Sequence, residues 1–402
     1  MRMPRRFTAW LALYCLLIPS ARGFDTRWHS LCSQKVGEQF GFTDHAWKIM
    51  QIGNFSADFF GPVSEYASKG LAGSELDALI RHQDNNRQVR GAALFLHFDN
   101  LSSDFQGNSN FDFLFSHLLE TTQNLLASYN SLRIDERTRK TLTLVTLGAS
   151  LHAVQDFYSH SDWTHNGLDL DSGTSRAPAW FEYREKHRDP DQWPFRVQSG
   201  IYPPVAGVRN THTHMNHDNS RLLYMESENP GQPLRSQAEY HNAGVAPARG
   251  DDASDLSHQQ LAVNTAIAAS IEWVRKVEEN AEARKAIEST KGWNLTSQDA
   301  KLAKELEAGL ATERALSCAA GKWDGDGNRD PICRSALGRG APSAGGNPGS
   351  VESEIIGLAV NLFLPFALKY TGMFWDIHGK YHVLERLAAE IGSDSGHYRF
   401  KK

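Results

Sequence analysis

The chain has 402 residues, of which 40% are hydrophobic, and its formal net charge is −5. This length predicts one large domain or two smaller ones, and the ordinary apolar content allows a buried core. The excess of acidic residues argues against strong non-specific binding of nucleic acid, which needs many phosphate contacts from Lys and Arg, although a small basic cleft can lie in an acidic surface.

Residues 1–23, "MRMPRRFTAWLALYCLLIPSARG", combine early arginines with an apolar run from Phe7 to Ile18 and the small-x-small ending Ala21-Arg22-Gly23. This pattern predicts a secretory signal peptide cleaved after Gly23; the alternative is an uncleaved anchor. Cleavage would change the net charge from −5 to −9, because the segment carries four arginines and no acid. We therefore expect an exported protein, either secreted or periplasmic.

The cysteines fit an exported protein. Cys15 would leave with the signal peptide, which leaves Cys32, Cys318 and Cys333. We expect Cys318 and Cys333 to pair across a short loop, because disulfides persist in oxidising compartments. Cys32 would then be single, and we interpret it as a small buried hydrophobic residue rather than a catalytic thiol.

Residues 24–165 are predicted to be mostly helical. Apolar residues recur at spacings of three and four in "SELDALIRHQ", "FDFLFSHLLETTQNLLASYNSL" and "ERTRKTLTLVTLGASLHAVQDFYSHS", and no stretch shows sustained strand alternation. Residues 166–257 are rich in Gly, Pro, Asp and Ser, which predicts long surface loops. Helix returns at 256–288. The prediction is an all-α, multi-helix domain over residues 24–290.

Residues 291–402 are predicted to form a C-terminal extension. It contains a charged helical piece at 297–316, the cysteine-bounded loop, the flexible linker "GRGAPSAGGNPGS" and the apolar tail "EIIGLAVNLFLPFALKYTGMFW". Asn361, Pro365 and Lys369 interrupt the tail. Two interpretations of the tail stay open, a pair of core helices or a contact with a membrane surface.

The extension also holds an acidic stretch, "DGDGNRD", in which oxygen-bearing side chains alternate as in calcium loops: Asp324, Asp326, Asn328 and Asp330. Arg329 stands where the EF-hand pattern needs Gly, and Ser335 stands where it needs a bidentate Glu. A full EF-hand is therefore excluded. A looser calcium site and a plain acidic turn both stay open.

The segment "LHAVQDFYSHSDW" carries His152, Asp156 and His160 at spacings of four. In a helix these positions form one stripe, and apolar neighbours such as Leu151 and Phe157 indicate that the stripe borders the core. A carboxylate and two imidazoles need partners there, and a divalent metal would satisfy all three. Zinc suits these ligands. A hydrogen-bonded polar stripe is the alternative.

Further ligand-type residues occur in four other segments. His97 lies in "LFLHFDN" and Asp58 lies in "IGNFSADFF". The cluster "THTHMNHDN" contains His212, His214, His217 and Asp218, with His214 and Asp218 again four apart. In "FDTRWH", His29 lies five residues past the predicted new N-terminus at Phe24, whose free amine could also bind metal.

Taken in order, these segments resemble the zinc-dependent phospholipase C and single-strand nuclease superfamily, and within it the Het-C-like branch with its bacterial and fungal zinc metallophospholipases C. "LGASLHAVQDFYSHSDW" resembles the hallmark segment of that branch, and "IGNFSADFF" resembles its Gly-Asn-aromatic-x-x-Asp segment. The resemblance covers roughly residues 24–275. It implies a phospholipase C/nuclease-like helical bundle and up to three zinc ions.

The resemblance also implies which residues bind each ion. Asp58, His97, His152 and Asp156 would hold the first, and His160, His214 and Asp218 the second. The amine and carbonyl of Phe24 would hold the third, with His29 and a bridging Asp156.

Two departures from better-studied members of the superfamily bear on these assignments. The next histidine after the aspartate follows at a shorter distance and without a proline, which leaves His165 as a rival to His160. The predicted first residue is Phe24 where those enzymes have Trp. In the late cluster His212, His217 and His258 compete with His214.

The resemblance implies hydrolysis of a phosphodiester by metal-activated water. Asp58 is the predicted catalytic residue that orients the water or accepts its proton, while Asn54 and Asp162 are candidates to support the ligands. Aromatic residues near the site, Phe55, Phe59, Phe60, Tyr158 and Trp163, either line the cleft or pack in the core.

Predicted export, net acidity and the apolar tail favour a phospholipid such as phosphatidylcholine, at a membrane surface. A zinc-dependent single-strand nuclease and a non-catalytic Het-C-like interaction protein are the alternatives.

Overall fold

The computed structural model describes residues 26–57, 96–98, 108–165, 176–199, 258–307, 309–310, 381, 383, 386 and 387. These residues form an all-α fold, as predicted. The helices are α1 Thr26–Phe40, α2 Asp44–Ala57, α3 Ser109–Tyr129, α4 Glu136–His160, α5 Trp180–Lys186, α6 His258–Val277 and α7 Ala281–Lys291. Within the described ranges there is no sheet, and the one β-bridge joins Ser161 to Ser199.

Helix α4 is the central element. It begins after Asp135, whose carboxylate accepts a hydrogen bond from the backbone N–H of Thr138 at 2.9 Å, and such a cap satisfies a free N–H group of the first turn. Helices α1, α2, α3, α6 and α7 all pack against it. Every residue from Thr141 to His160 is buried. The polar residues of the stripe therefore lie in the interior and not on a solvated face.

Helices α2 and α4 approach each other closely at two glycines. A Cβ atom on Gly53 would lie 2.5 Å from the carbonyl oxygen of Val145. A Cβ atom on Gly148 would overlap the carbonyl oxygen of Met50. Only glycine allows this separation of the two backbones, and the contact brings Asn54 of α2 beside His152 of α4.

Part of the segment predicted to be loop forms a compact aromatic unit. The short helix α5 lies within it, and the sequence prediction of loops did not include that helix. The rings of Trp163, Trp180 and Trp193 pack against one another, with centroid distances of 5.0 to 5.8 Å. Buried aromatic contacts of this kind stabilise a segment whose regular secondary structure is limited to short helices.

The predicted single helix at 256–288 is wrong in one respect, because it is broken into α6 and α7. Asn280 is not helical, and its side chain accepts hydrogen bonds from the backbone N–H groups of Glu282 and Ala283, both at 3.1 Å. The side chain thus starts a new helix after a short turn. In the charged piece predicted to be helical at 297–316, the chain forms a 3-10 turn at Ser297–Asp299 followed by helical residues 300–307 and 309–310.

Cys32 is fully buried and forms no disulfide, which confirms its predicted role as a small core residue. Burial raises the pKa of its thiol, so the reactive thiolate is disfavoured. Among the described helices, none is both long enough and apolar enough to cross a membrane. The predicted signal peptide, the segment "SELDALIRHQ", the Cys318–Cys333 pair, the acidic stretch 324–330, the linker and the apolar tail lie outside the described residues.

Candidate metal centre

Three of the predicted ligands meet in the interior. His29 comes from α1, while His152 and Asp156 come from α4, and all three are buried. One potential ligand atom from each lies within 4.8 Å of the others. Two imidazoles and one carboxylate gathered in this way could hold a divalent metal ion.

Asp156 presents its two carboxylate oxygens to different imidazoles. Oδ1 lies 3.1 Å from Nε2 of His29. Oδ2 lies 2.6 Å from Nδ1 of His97 and 3.1 Å from Nε2 of His152. The structure therefore brings His97 to the same carboxylate as the other two histidines, and Asp156 lies between one imidazole on one side and two on the other.

The three rings also contact one another. His29 stacks on His152 with ring centroids 4.4 Å apart, and His97 meets the edge of His152 at 4.9 Å. Phe98 directly follows His97, and its φ of +53° is rare for a residue with a side chain. The ring of Phe98 packs against Phe115 and Phe157, and this packing holds the backbone in that conformation.

The protonation states suit a metal site. Burial lowers the pKa of His152 to about 3, an effect larger than the opposing attraction of Asp156, so the ring is neutral at neutral pH. Burial opposes ionisation of Asp156, but its contacts with His152, His29 and His97 hold the pKa of that carboxyl well below its usual value. Neutral imidazole and ionised carboxylate are the forms that bind metal ions.

Two amide side chains contact the outer nitrogens of the histidines. Nδ1 of His29 lies 2.6 Å from Oε1 of Gln155, and Nδ1 of His152 lies 3.1 Å from Oδ1 of Asn54. Asn54 thus lies where the sequence placed it as a supporting candidate. Gln155 was missed, because a glutamine carries no ligand pattern; the available signal was its place three residues after His152, on the same side of α4.

His160 is fully buried in the last turn of α4. Among the described residues it does not belong to the group of three ligand atoms that could share one ion. Its predicted partners His214 and Asp218 lie outside the described residues, as do Phe24, Asp58 and the rival ligands His212 and His217. The side chains of His165 and His258 are likewise outside the described part.

Asp162 has a role away from the cluster. Its carboxylate accepts a hydrogen bond from the backbone N–H of Gln198 at 2.9 Å, and its own N–H donates to the carbonyl of Gln198 at 3.0 Å. Phe55, Tyr158 and Trp163 are buried in the core, while Phe59 and Phe60 lie outside the described residues. The described aromatic candidates therefore stabilise the fold around the cluster.

Comparison of the chain with protein-family models, with curated proteins and with solved structures finds no match.

Proposed function

We propose that the chain is an exported zinc metallophospholipase C, which hydrolyses the phosphodiester of phospholipids to diacylglycerol and a phosphorylated headgroup. The observation that carries this proposal is the buried Asp156 carboxylate, with His29 at one oxygen and with His97 and His152 at the other. A buried carboxylate with imidazoles at both of its oxygens could supply ligands to zinc, which would activate a water molecule for hydrolysis. The resemblance in motif order supports the reaction type.

In this proposal the ligands fall into three sets. His97, His152 and Oδ2 of Asp156 would bind one zinc together with Asp58. His29 and Oδ1 of Asp156 would bind another together with the N-terminal residue Phe24. His160 would bind the remaining ion with His214 and Asp218. His97, His152 and Asp156 supply two imidazole nitrogens and a carboxylate oxygen, and this donor set suits zinc.

Zinc held here would lower the pKa of a bound water and stabilise negative charge on the phosphate oxygens. The residues of the chain supply the rest. Both oxygens of Asp156 already face imidazoles, so a different carboxylate must accept the proton of the attacking water. Asp58 is our candidate, because it directly follows Ala57, the last residue of α2, whose final turn also carries Asn54.

A phospholipid is the proposed substrate because of predicted export, the acidic mature chain and the apolar tail at 354–375, which could contact a lipid surface. An acidic protein attracts polyanionic nucleic acid poorly. Single-strand cleavage is therefore the competing outcome of the test and not a second proposal.

The experiment uses the full chain beginning at Phe24, assayed in parallel on phosphatidylcholine vesicles and on denatured DNA, with and without a zinc chelator. We expect chelator-sensitive release of the phosphorylated headgroup and intact DNA. The substitution Asp156→Asn should lower hydrolysis by more than about 100-fold, because it removes a ligand and not only an outer hydrogen-bond partner.

The matched control is His45→Gln. His45 lies in the first turn of α2 and contacts Asn294 instead of the cluster, so this variant should keep its activity. Cleavage of DNA alone would move the protein to the nuclease class. Lipid hydrolysis that survives both the chelator and Asp156→Asn would contradict the proposal.

A further inference from the structure

Gln155 lies at the centre of a buried hydrogen-bond network behind the histidines. It is fully buried on α4, between the two ligand positions His152 and Asp156. Its side chain contacts three elements, reaching His29 on α1, Asn54 on α2 and Ser270 on α6. The amide therefore connects α4 to α1, α2 and α6.

The direction of the network is fixed at its outer end. The hydroxyl of Ser270 donates to the carbonyl of Ala266 at 2.7 Å. A hydroxyl has one hydrogen, so Ser270 must accept from its other neighbour, and Nε2 of Gln155 lies 3.0 Å away. The carbonyl oxygen of Gln155 consequently points to the opposite side, toward His29 and Asn54.

The orientation of the Gln155 amide also determines which nitrogens of the histidines carry hydrogen. Oε1 of Gln155 accepts from Nδ2 of Asn54 at 2.9 Å, which turns Oδ1 of Asn54 toward His152. Amide oxygens only accept hydrogen bonds. The Nδ1 atoms of His29 and His152 must therefore both carry a hydrogen, because each faces an amide oxygen.

A neutral imidazole with its hydrogen on Nδ1 has a lone pair on Nε2. The Nε2 atoms of His29 and His152 both lie 3.1 Å from Asp156, so lone pairs and an ionised carboxylate face one another. Nδ1 of His97 lies 3.2 Å from Nε2 of His152 and 2.6 Å from Oδ2 of Asp156, so a hydrogen on Nδ1 would offset part of this repulsion. A cation among these atoms would offset the rest.

We propose that Gln155 is the positioning residue of the metal centre. It fixes the Nδ1–H tautomer of His29 directly and that of His152 through Asn54. In this tautomer Nε2 of each histidine is left to bind the metal. This inference rests on the proposed function for the presence of zinc. The inference predicts that replacing Gln155 weakens metal binding. A buried amide needed only for the stability of the fold would not change metal affinity.

The test compares the zinc dissociation constant of the full chain beginning at Phe24 with that of three variants, by competition with a chromogenic chelator. Gln155→Leu removes the acceptor for both His29 and Asn54 and should weaken zinc binding about 10- to 100-fold, as loss of outer partners does at zinc sites. Gln155→Glu keeps an acceptor at His29 and should recover most of that affinity.

Ser150→Ala is the matched structural control. The hydroxyl of Ser150, also buried on α4, accepts a hydrogen bond from Nε1 of Trp273 on α6 at 3.1 Å and touches no histidine of the cluster. This variant should lower the unfolding temperature and leave the zinc dissociation constant unchanged. Equal zinc affinity in Gln155→Leu, Ser150→Ala and the parent chain would overturn the positioning role.

A second measurement covers the case in which Gln155→Leu does not fold. Imidazole ¹⁵N shifts of the metal-free parent chain should report Nδ1–H for His29 and His152, and Gln155→Glu should keep that pattern. Nε2–H at both rings would overturn the inference. A parent chain with the expected tautomers but no zinc would contradict the proposed function and leave the hydrogen-bond network intact, so the two failures are distinguishable.

Discussion

At the residue scale, the spacing of His152, Asp156 and His160 was enough to place all three on one side of a helix, and the structure buries each of them. Spacing cannot show which distant side chains join them. His29 precedes Gln155, its hydrogen-bond partner, by 126 residues, and His97 precedes Asp156 by 59. Their segments marked these two histidines as ligand-type residues, and the resemblance joined them to the site. The position of Gln155 three residues after His152 was a weak signal, because the role of an amide depends on contacts made by folding.

Glu272 provides a prediction about pH and stability that is independent of the metal centre. Burial raises the pKa of this carboxyl from 4.5 to about 7, and the nearby carboxylates of Glu182 and Glu185 add to the effect against the opposing charges of Lys276 and Arg176. The folded state therefore binds this proton more tightly than the unfolded state. Below pH 4.5 Glu272 is protonated in both states. Between pH 4.5 and about 7 the unfolded state loses a proton that the folded state retains, so the free energy of unfolding falls as the pH rises.

We therefore expect Glu272→Gln to stabilise the protein more at high pH than at low pH. Between about pH 5 and pH 8 its advantage in the free energy of unfolding should grow by about 2 kcal/mol. Urea unfolding in the presence of a chelator measures this without a contribution from bound metal. Glu279→Gln, which removes the same charge at an exposed position, is the control. An advantage for Glu272→Gln that is equal at both pH values would contradict the assignment.

At the element scale, the sequence predicted where helices occur better than where they end or how closely they pack. Helix α3 follows the apolar periodicity closely, because its buried residues recur at spacings of three and four, whereas α4 is buried on all sides from Thr141 to His160. The break between α6 and α7 escaped periodicity, since a single capping side chain, Asn280, decides it. The pairing of Gly53 with α4 and of Gly148 with α2 could not be predicted, because it depends on the angle at which two helices cross.

Gly148→Ala tests that crossing. The added methyl group would overlap the backbone of Met50 and would lie 2.8 Å from the backbone nitrogen of Asn54, so α2 must move away from α4. We expect a loss of about 1–3 kcal/mol in the free energy of unfolding. Zinc affinity should fall as well, because the contact between Asn54 and His152 lengthens.

Gly292→Ala is the matched control, since its φ is −83° and no atom lies within 4 Å of the new Cβ. Chemical unfolding and zinc titration of the two variants side by side provide the measurement. If Gly148→Ala has the same stability and the same zinc affinity as Gly292→Ala, the close approach of α2 and α4 is contradicted.

At the scale of the whole molecule, the all-α class followed from helical periodicity and the absence of strand alternation. The loop prediction for 166–257 was incomplete, because packing among Trp163, Trp180 and Trp193 orders a segment that has no regular pattern of its own. The described helices together supply one buried cluster, to which α1 and the segment 96–98 each bring one histidine while α4 brings a histidine and the aspartate.

The most direct test of the central claim is the metal content of the purified full chain beginning at Phe24, measured by elemental mass spectrometry after extensive dialysis, for the parent protein and for His152→Asn. The claim that the buried cluster holds zinc predicts that the parent retains zinc in stoichiometric amounts and that the variant loses most of it. A parent chain that keeps no zinc when dialysed in zinc-containing buffer, or a variant that keeps as much as the parent, would contradict it.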